Sequence, residues 1–431
     1  MEKILYKNPL LGEYTLATLD NGLSVYVMEK PQFTGGYAVF GTKYGSIDTK
    51  FSRNGGEYIE VPAGIAHFLE HKLFESEEGD AFSRFAKTGA YANAFTSFDR
   101  TCYLFSCTAN FYKNLEILLD FVQSPYFTDE TVQKEQGIIG QEIKMYEDSP
   151  GWRVMFNMLD KMYENHPVKI DIAGTVDSIS LIDRNLLYEC YETFYNPSNM
   201  YICIAGNVNT DEVLERIQKG IKPTERVTVK RAKFPESAVV KVHYTEQALE
   251  VAKPLFCLGF KEVCKDGHPT VKDRTVAGIT LEILCGDCSE LYRRLVDTGL
   301  IGDEFSAEYF QGDGYAAYVI EGESSHPETV AGEIKKEIKR LIEQGSYNRL
   351  LEAVKRSAYG DAVKRFNSTE GIVMDMVECA ICGGELFDAA DILKSITADD
   401  VLNCLKGLNE ESSVLSVITP RSRKEENRCI M

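Results

Sequence analysis

The chain has 431 residues, with 47 lysines and arginines against 66 aspartates and glutamates, for a formal net charge of −19. Hydrophobic residues make up 44% and charged residues 26%, which supplies packed cores and excludes a disordered or collagen-like chain. The acidic balance argues against a binder of duplex nucleic acid, which needs Lys and Arg in excess.

The length predicts two or three domains. The run from Met1 to Gly22 has no apolar core ahead of a small-residue cleavage site, so no secretory signal is expected. No window approaches the roughly 18 apolar residues of a membrane span. The 12 cysteines are dispersed, unlike a small disulfide scaffold, and the expected setting is a reducing cytoplasm. Cys429-Ile430-Met431 falls one residue short of a prenylation box.

In chain order, the turn signal Asp20-Asn21-Gly22 precedes strand-like alternation over Leu23–Met28, and Gly35-Gly36 precedes Tyr37–Gly41. From Val61 to Glu75 the spacing turns helical, with Ile65, Phe68, Leu69 and Leu73 apolar. A second helix over Ala81–Lys87 stops at Thr88-Gly89. The runs Ala90–Phe95 and Thr101–Cys107, joined by the polar 96–100, predict a hairpin. Helices follow over Phe111–Gln123 and, after the capping signal Thr128-Asp129-Glu130, over Val132–Glu147.

These alternations predict an α+β fold with helices packed on largely antiparallel sheet. Charge and two prolines mark 219–237 as a linker between domains at 1–218 and 238–431. The halves echo one another. Ser178-Ile179-Ser180, a helix and the strand 198–205 have counterparts in Ser395-Ile396-Thr397, a helix and the strand 412–418. An old duplication and coincidence of a common pattern both fit this echo.

Only 6 histidines are present, yet two fall in His67-Phe68-Leu69-Glu70-His71. On a helix, His67 and His71 face one way, one turn apart, as two ligands of a single Zn²⁺ would. Glu70 then lies within reach of a zinc-bound water, in the inverted zincin order H-x-x-E-H. The competing reading is a helix with two hydrogen-bonded histidines. A catalytic zinc needs a third ligand, and the later helix offers Glu135, Glu142 and Glu147. Glu135 and Glu142 are seven apart and share a face, with Val132, Ile139 and Ile143 to anchor the helix. Spacing alone does not choose among the three.

The segment Gly64-Ile65-Ala66-His67-Phe68-Leu69-Glu70-His71 resembles the signature of the pitrilysin/insulinase family, which includes mitochondrial processing peptidase. Glu135 and Glu142 resemble its downstream glutamate pair, whose second member ligates zinc. The resemblance therefore implies His67, His71 and Glu142 as metal ligands, Glu70 as general base and Glu135 as a second catalytic carboxylate that orients a ligand. Asn93-Ala94-Phe95-Thr96 resembles the edge strand on which the family holds substrate by β-augmentation. Ile172-Ala173-Gly174-Thr175 and Asn196-Pro197-Ser198-Asn199-Met200 match further landmarks. The implied architecture is two homologous domains enclosing a peptide chamber. The implied activity is a zinc endopeptidase.

One departure stands out. Complete sites in the family draw an Arg and a Tyr from a second-domain segment resembling L-R-x-x-x-L-x-Y. Here Val296 and Gly302 occupy those places, unless a shifted register promotes Arg293 or Arg294, and Tyr309 or Tyr315. The chain thus resembles the zinc-bearing member of a two-chain assembly. A homologous zinc-free partner would supply the clamp, with a homodimer as the alternative. Two Cys-x-x-Cys pairs, 285/288 and 379/382, sit in apolar helical contexts and read as packing residues. His166, His243, His268 and His326 are isolated and carry no assigned role. The rival to an enzyme is a non-catalytic peptide-binding or scaffold subunit.

Overall fold

A computed structural model describes residues 1–421 apart from positions 78, 265, 266, 303 and 346. Cys429-Ile430-Met431 therefore lies outside the described residues.

The chain opens with a hairpin, β1 (Glu2–Asn8) and β2 (Gly12–Thr18). Periodicity does not reveal β1, because most of it is exposed on both faces. The expected strands appear as β3 (Ser24–Glu29) and β4 (Gly36–Thr42), followed by the short β5 (Lys50–Arg53) and β6 (Ile59–Glu60). Helix α1 (Ile65–Leu73) carries the histidines. Then come β7 (Glu75–Ser76), β8 (Gly79–Asp80), α2 (Ala81–Ala86) and the expected hairpin of β9 (Tyr91–Thr96) and β10 (Thr101–Cys107). Helices α3 (Phe111–Val122), α4 (Asp129–Glu147) and α5 (Pro150–Met162) follow, with the Thr128 hydroxyl accepting from the Thr131 N–H at the start of α4. The first half closes with α6 (Val176–Ile179), α7 (Arg184–Phe194), β11 (Met200–Gly206), α8 (Thr210–Gly220) and β12 (Val229–Arg231).

The second half runs β13 (Tyr244–Leu249), β14 (Leu255–Glu262), α9 (Val271–Cys285), α10 (Glu290–Asp297), β15 (Phe305–Gly312) and β16 (Tyr315–Glu323). It ends with α11 (Pro327–Gln344), α12 (Asn348–Arg365), α13 (Thr369–Cys382), α14 (Asp388–Ser395), α15 (Ala398–Gly407) and β17 (Ser413–Pro420). The fold is α+β in two units, as expected.

Unit 1 holds a seven-stranded sheet ordered β1-β2-β3-β11-β4-β10-β9, and unit 2 a five-stranded sheet ordered β13-β17-β14-β16-β15. The last five strands of the first match the second one for one. In each, the late strand (β11 or β17) lies parallel to one neighbour and antiparallel to the other. The outer pairs are antiparallel in both. The echoed segments at 198–205 and 412–418 are thus counterpart strands, and the echo is architectural.

The compact units interleave along the chain. Unit 1 comprises Met1–Ile143, Asp171–Lys233 and Ala362–Phe387; unit 2 comprises Lys144–Ile170, Phe234–Asp361 and the chain from Asp388 onwards. Helix α5 of the first half packs on β14 and β17 of unit 2, while α13 of the second half packs on β4 and β11 of unit 1. The domains expected at 1–218 and 238–431 were contiguous. Periodicity shows that a helix has an apolar face, but not which sheet that face covers. Gly259 admits α5 closely: a Cβ there would lie 2.5 Å from Met162 Cε and 2.6 Å from Met158 Sδ. One of the chain's passages between units falls at Lys233–Phe234, within the expected linker, yet β12 in that linker pairs with β5 as part of unit 1. On its other face, sheet two buries Phe256, Leu258 and Phe260 with Ile279, Leu284, Ile334 and Leu405 from α9, α11 and α15.

Candidate active site

Helix α1 is buried along almost its whole length, including His67, Glu70 and Lys72. Burying such polar groups requires a fixed helix and paired side chains. Two glycines fix its start. Gly64, at φ +90°, abuts the Ala173 carbonyl, where a Cβ would stand 2.4 Å from the oxygen. Gly174, at φ +74°, abuts the Ala63 carbonyl in return. Only glycine fits both the positive φ and the contact. Ser178 closes the joint: its hydroxyl donates to the Ala63 carbonyl at 2.8 Å, and it forms a capping box with Thr175. The Ile172–Thr175 landmark is therefore the clasp of the histidine helix. Further along α1, Lys72 is paired with Glu75.

His67, His71 and Glu142 converge, with one ligand atom from each lying within 4.8 Å of the others. It is the one such group among the described residues. His67 Nε2 stands 3.7 Å from Glu142 Oε1, and His71 Nε2 3.5 Å from Glu142 Oε2. These separations are longer than hydrogen bonds. They match the ~3.4 Å edge of a tetrahedron of donors around an ion at roughly 2.1 Å. The His67 Nδ1 is buried without a hydrogen-bond partner. His67 is therefore not the hydrogen-bonded core histidine of the competing reading. Two imidazoles and a carboxylate suit Zn²⁺ by donor type as well.

The histidines differ in their support. Glu135, itself 5% exposed, sits 3.0 Å from His71 Nδ1 and accepts its proton. That bond fixes the ring with Nε2 aimed at Glu142, and a carboxylate on the other nitrogen is the usual outer contact of a metal-binding histidine. Burial works against protonation of His71, but the Glu135 bond and the charges of Glu70 and Glu142 outweigh it and hold its pKa above the usual value. The same partnership, with the Lys72 and Lys134 charges, keeps Glu135 below the usual carboxylate range despite burial. Burial and the nearby His71 push His67 down to about 4, so it stays neutral. Burial also raises Glu70, although the Thr96 hydroxyl (2.6 Å) and backbone N–H oppose the rise.

On α4, Val132, Ile139 and Ile143 are buried at 4%, 0% and 4% and anchor the helix. Glu147 is exposed and does not join the group. The choice among three glutamates is thus decided by helix rotation.

Strand β9 is the outermost strand of its sheet among the described residues. Side chains alternate along it, so Ala92 and Ala94 share a face with Thr96, which meets Glu70 from α1. Asn93 and Phe95 point to the other face. The hairpin turn beyond Thr96 is pinned by Arg100, which pairs with Asp99 at 2.7 Å and with Glu378 of α13 at 2.8 Å. Sequence reasoning treated 96–100 as a polar turn and missed both contacts. The charged Asp99-Arg100 pair directly before the apolar run of β10 was the available signal.

In unit 2, three of the four shifted-register clamp candidates are engaged or buried, and Arg293 is exposed. Arg294 pairs with Glu333 and Glu337, Tyr309 donates to Glu262 at 2.7 Å, and Tyr315 is buried. His166 is also satisfied: Nδ1 accepts from the Val168 N–H and Nε2 donates to the Asp313 carbonyl. The two Cys-x-x-Cys pairs fall in different units. Cys285 donates to the Leu281 carbonyl and Cys382 to Glu378.

Comparison with known proteins places this arrangement. The family model "Insulinase (Peptidase family M16)" matches residues 54–176, and "Peptidase M16 inactive domain" matches 182–357. An "uncharacterized zinc protease YmfH" of Bacillus subtilis (strain 168) is 44% identical over 394 residues, covering 90% of this chain and 92% of its own. The crystal structure of a "putative M16-like peptidase" from Alicyclobacillus acidocaldarius superposes with a TM-score of 0.91 at 34% identity, covering 98% of this chain and 99% of that one. A protease from Helicobacter pylori shares the fold, with a TM-score of 0.81 at 21% identity over 94% of this chain and 99% of its own. With its histidine helix and paired carboxylates in a duplicated α+β fold, the chain belongs to the insulinase family, peptidase family M16.

Proposed function

We propose that the protein is a zinc endopeptidase acting on peptides or unfolded segments. The observation that carries this reading is the convergence of His67, His71 and Glu142 beside Glu70 and the open edge of β9. His67 Nε2, His71 Nε2 and a Glu142 oxygen would hold the metal, and Glu135 orients His71 through Nδ1. Zinc, when bound, polarises the scissile carbonyl and lowers the pKa of water.

The remaining work belongs to the chain. An extended peptide pairs with the β9 backbone, which places a carbonyl beside α1 and tolerates varied side chains. Glu70 takes the proton of the attacking water and passes it to the leaving amine. Burial suits Glu70 to that double duty, because a raised carboxyl pKa brings the acid form closer to working pH.

We also propose that a homologous zinc-free subunit completes the site, or failing that a second copy of this chain. Val296 and Gly302 lack the clamp chemistry, and Arg294 and Tyr309 are engaged elsewhere. On the cysteine distribution, we keep the reducing cytoplasm as its setting.

The test is metal analysis with Glu70→Gln. About one zinc per chain, removable by chelator, and a variant that keeps zinc but loses cleavage are expected. A native chain without zinc would leave the scaffold reading. Loss of zinc on Glu70→Gln would make Glu70 a ligand. For the partner, this chain alone should cleave poorly and gain orders of magnitude on mixing with the zinc-free subunit. Full activity from the monodisperse chain would overturn the missing clamp.

A further inference from the structure

We infer that Thr96 is a positioning residue for Glu70, and that its hydroxyl decides which carboxylate oxygen handles the proton. The inference rests on the reading of Glu70 as general base. Thr96 Oγ1 donates to Glu70 Oε2 at 2.6 Å. A threonine hydroxyl has one proton, and here it is committed to Glu70.

The neighbouring hydroxyl cannot redirect it. Thr101 Oγ1 lies 3.5 Å from Thr96 Oγ1, but its own proton goes to the Tyr44 carbonyl at 2.9 Å, which can only accept. Thr96 and Thr101 are directly paired across the β9–β10 ladder, and the turn between them is pinned by Arg100 to Asp99 and Glu378. Backbone register therefore holds the donor in place.

The chemical consequence is an asymmetric carboxylate. Oε2 already accepts the short hydroxyl bond and is the poorer proton acceptor, while the Thr96 backbone N–H, which also acts on this carboxylate, is common to the wild type and every Thr96 variant. Oε1 takes the proton from water and later yields it to the leaving nitrogen. The Thr96 bond to Oε2 persists in both protonation states, so Glu70 does not turn between accepting and delivering. No electrons change hands, and the one proton that leaves water ends on the amine.

The experiment compares Thr96→Val, which keeps the shape and removes the hydroxyl, with Thr96→Ser, which restores it. On any peptide the wild type cleaves, T96V should lower kcat about ten- to a hundred-fold, the range for losing a hydrogen bond to a charged group. KM should stay within about twofold and zinc at wild-type content, while T96S recovers most of the rate. A raised KM with kcat intact would make Thr96 a peptide contact, and failure of serine to rescue would make it packing. Either result overturns the inference, as does an unchanged rate.

A second readout needs no turnover. In the chelator-stripped chain, the unfolding midpoints of T96V, E70A and the double variant should be non-additive. Additive shifts would show that the two side chains are not coupled. Should T96V fail to fold, Thr96→Ala beside Thr96→Ser takes the same measurements. A wild-type chain that cleaves nothing defeats the proposed function, whereas the coupling is still read and stands or falls separately.

Discussion

Units 1 and 2 share five strands in one order and one set of directions, and each has a helix after its second shared strand. In unit 1 that helix is α1, which buries His67 and Glu70; in unit 2 it is α9, which has no histidine. The carboxylate Glu282 on α9 feels the charges of Asp287 and of Asp361 on α12. Burial raises Glu282, and these charges raise it further. Where unit 1 sets imidazole against carboxylate, unit 2 sets carboxylate against carboxylate. The backbone plan accepts both, so apolar layers maintain the fold while a few side chains decide the chemistry.

The largest expected effect concerns the exchanged helices. A fragment of residues 1–233 lacks α13, which leaves the β4 and β11 face of its sheet bare. It should neither fold cooperatively nor retain zinc, and co-expression with the remaining chain should rescue it. Circular dichroism with metal analysis reads this; a zinc-bound 1–233 fragment with a cooperative melt would show that the exchange is dispensable.

Next come the ligands. His67→Ala or Glu142→Ala should remove zinc and reduce cleavage by at least about 10⁴-fold, while the sheet persists by far-UV circular dichroism. A variant that keeps stoichiometric zinc would remove that residue from the ligand set.

Unit 2 offers the contrasting kind of buried charge. Lys261 and Glu236, with side chains 1% and 7% exposed, pair at 2.6 Å, and Glu236 also accepts from the N–H groups of Glu164, Asn165 and His166. Glu236→Ala strands the Lys261 charge and should cost about 3–5 kcal/mol in denaturant unfolding without altering zinc content. Burial opposes ionisation of Glu236, but the Lys261 bond and the three backbone donors outweigh it and hold the carboxyl below its usual pKa. With the folded pKa below the unfolded value of about 4.3, this contribution is complete above that value. It is lost as pH falls through the folded value. Acid titrations of wild type and variant should therefore converge towards low pH; a constant gap would exclude Glu236 as the source.

The smallest effect is Gly259→Ala. The added Cβ meets the flexible ends of Met158 and Met162, so a loss of about 1–3 kcal/mol is expected in thermal unfolding. A neutral result would mean that α5 has slack against β14.

The site's core was legible in the sequence because its geometry is intrahelical. Residues four apart on α1 and seven apart on α4 face one way wherever those helices lie. The hairpin of β9 and β10, helices α3 and α4 and the echo of the central strands were likewise readable from local periodicity, whereas α5, α11 and α12 were not singled out. Three-dimensional packing settled the rest. Rotation of α4 admits Glu142 and Glu135 and leaves Glu147 in solvent. The ladder between β9 and β10 brings Thr96 to Glu70, and the chain's path sends α5 and α13 to the sheets of opposite units. These contacts join residues distant in sequence or on separate elements, so no periodicity encodes them. Local spacing determined which residues could share a face, and only the tertiary structure decided what that face would meet.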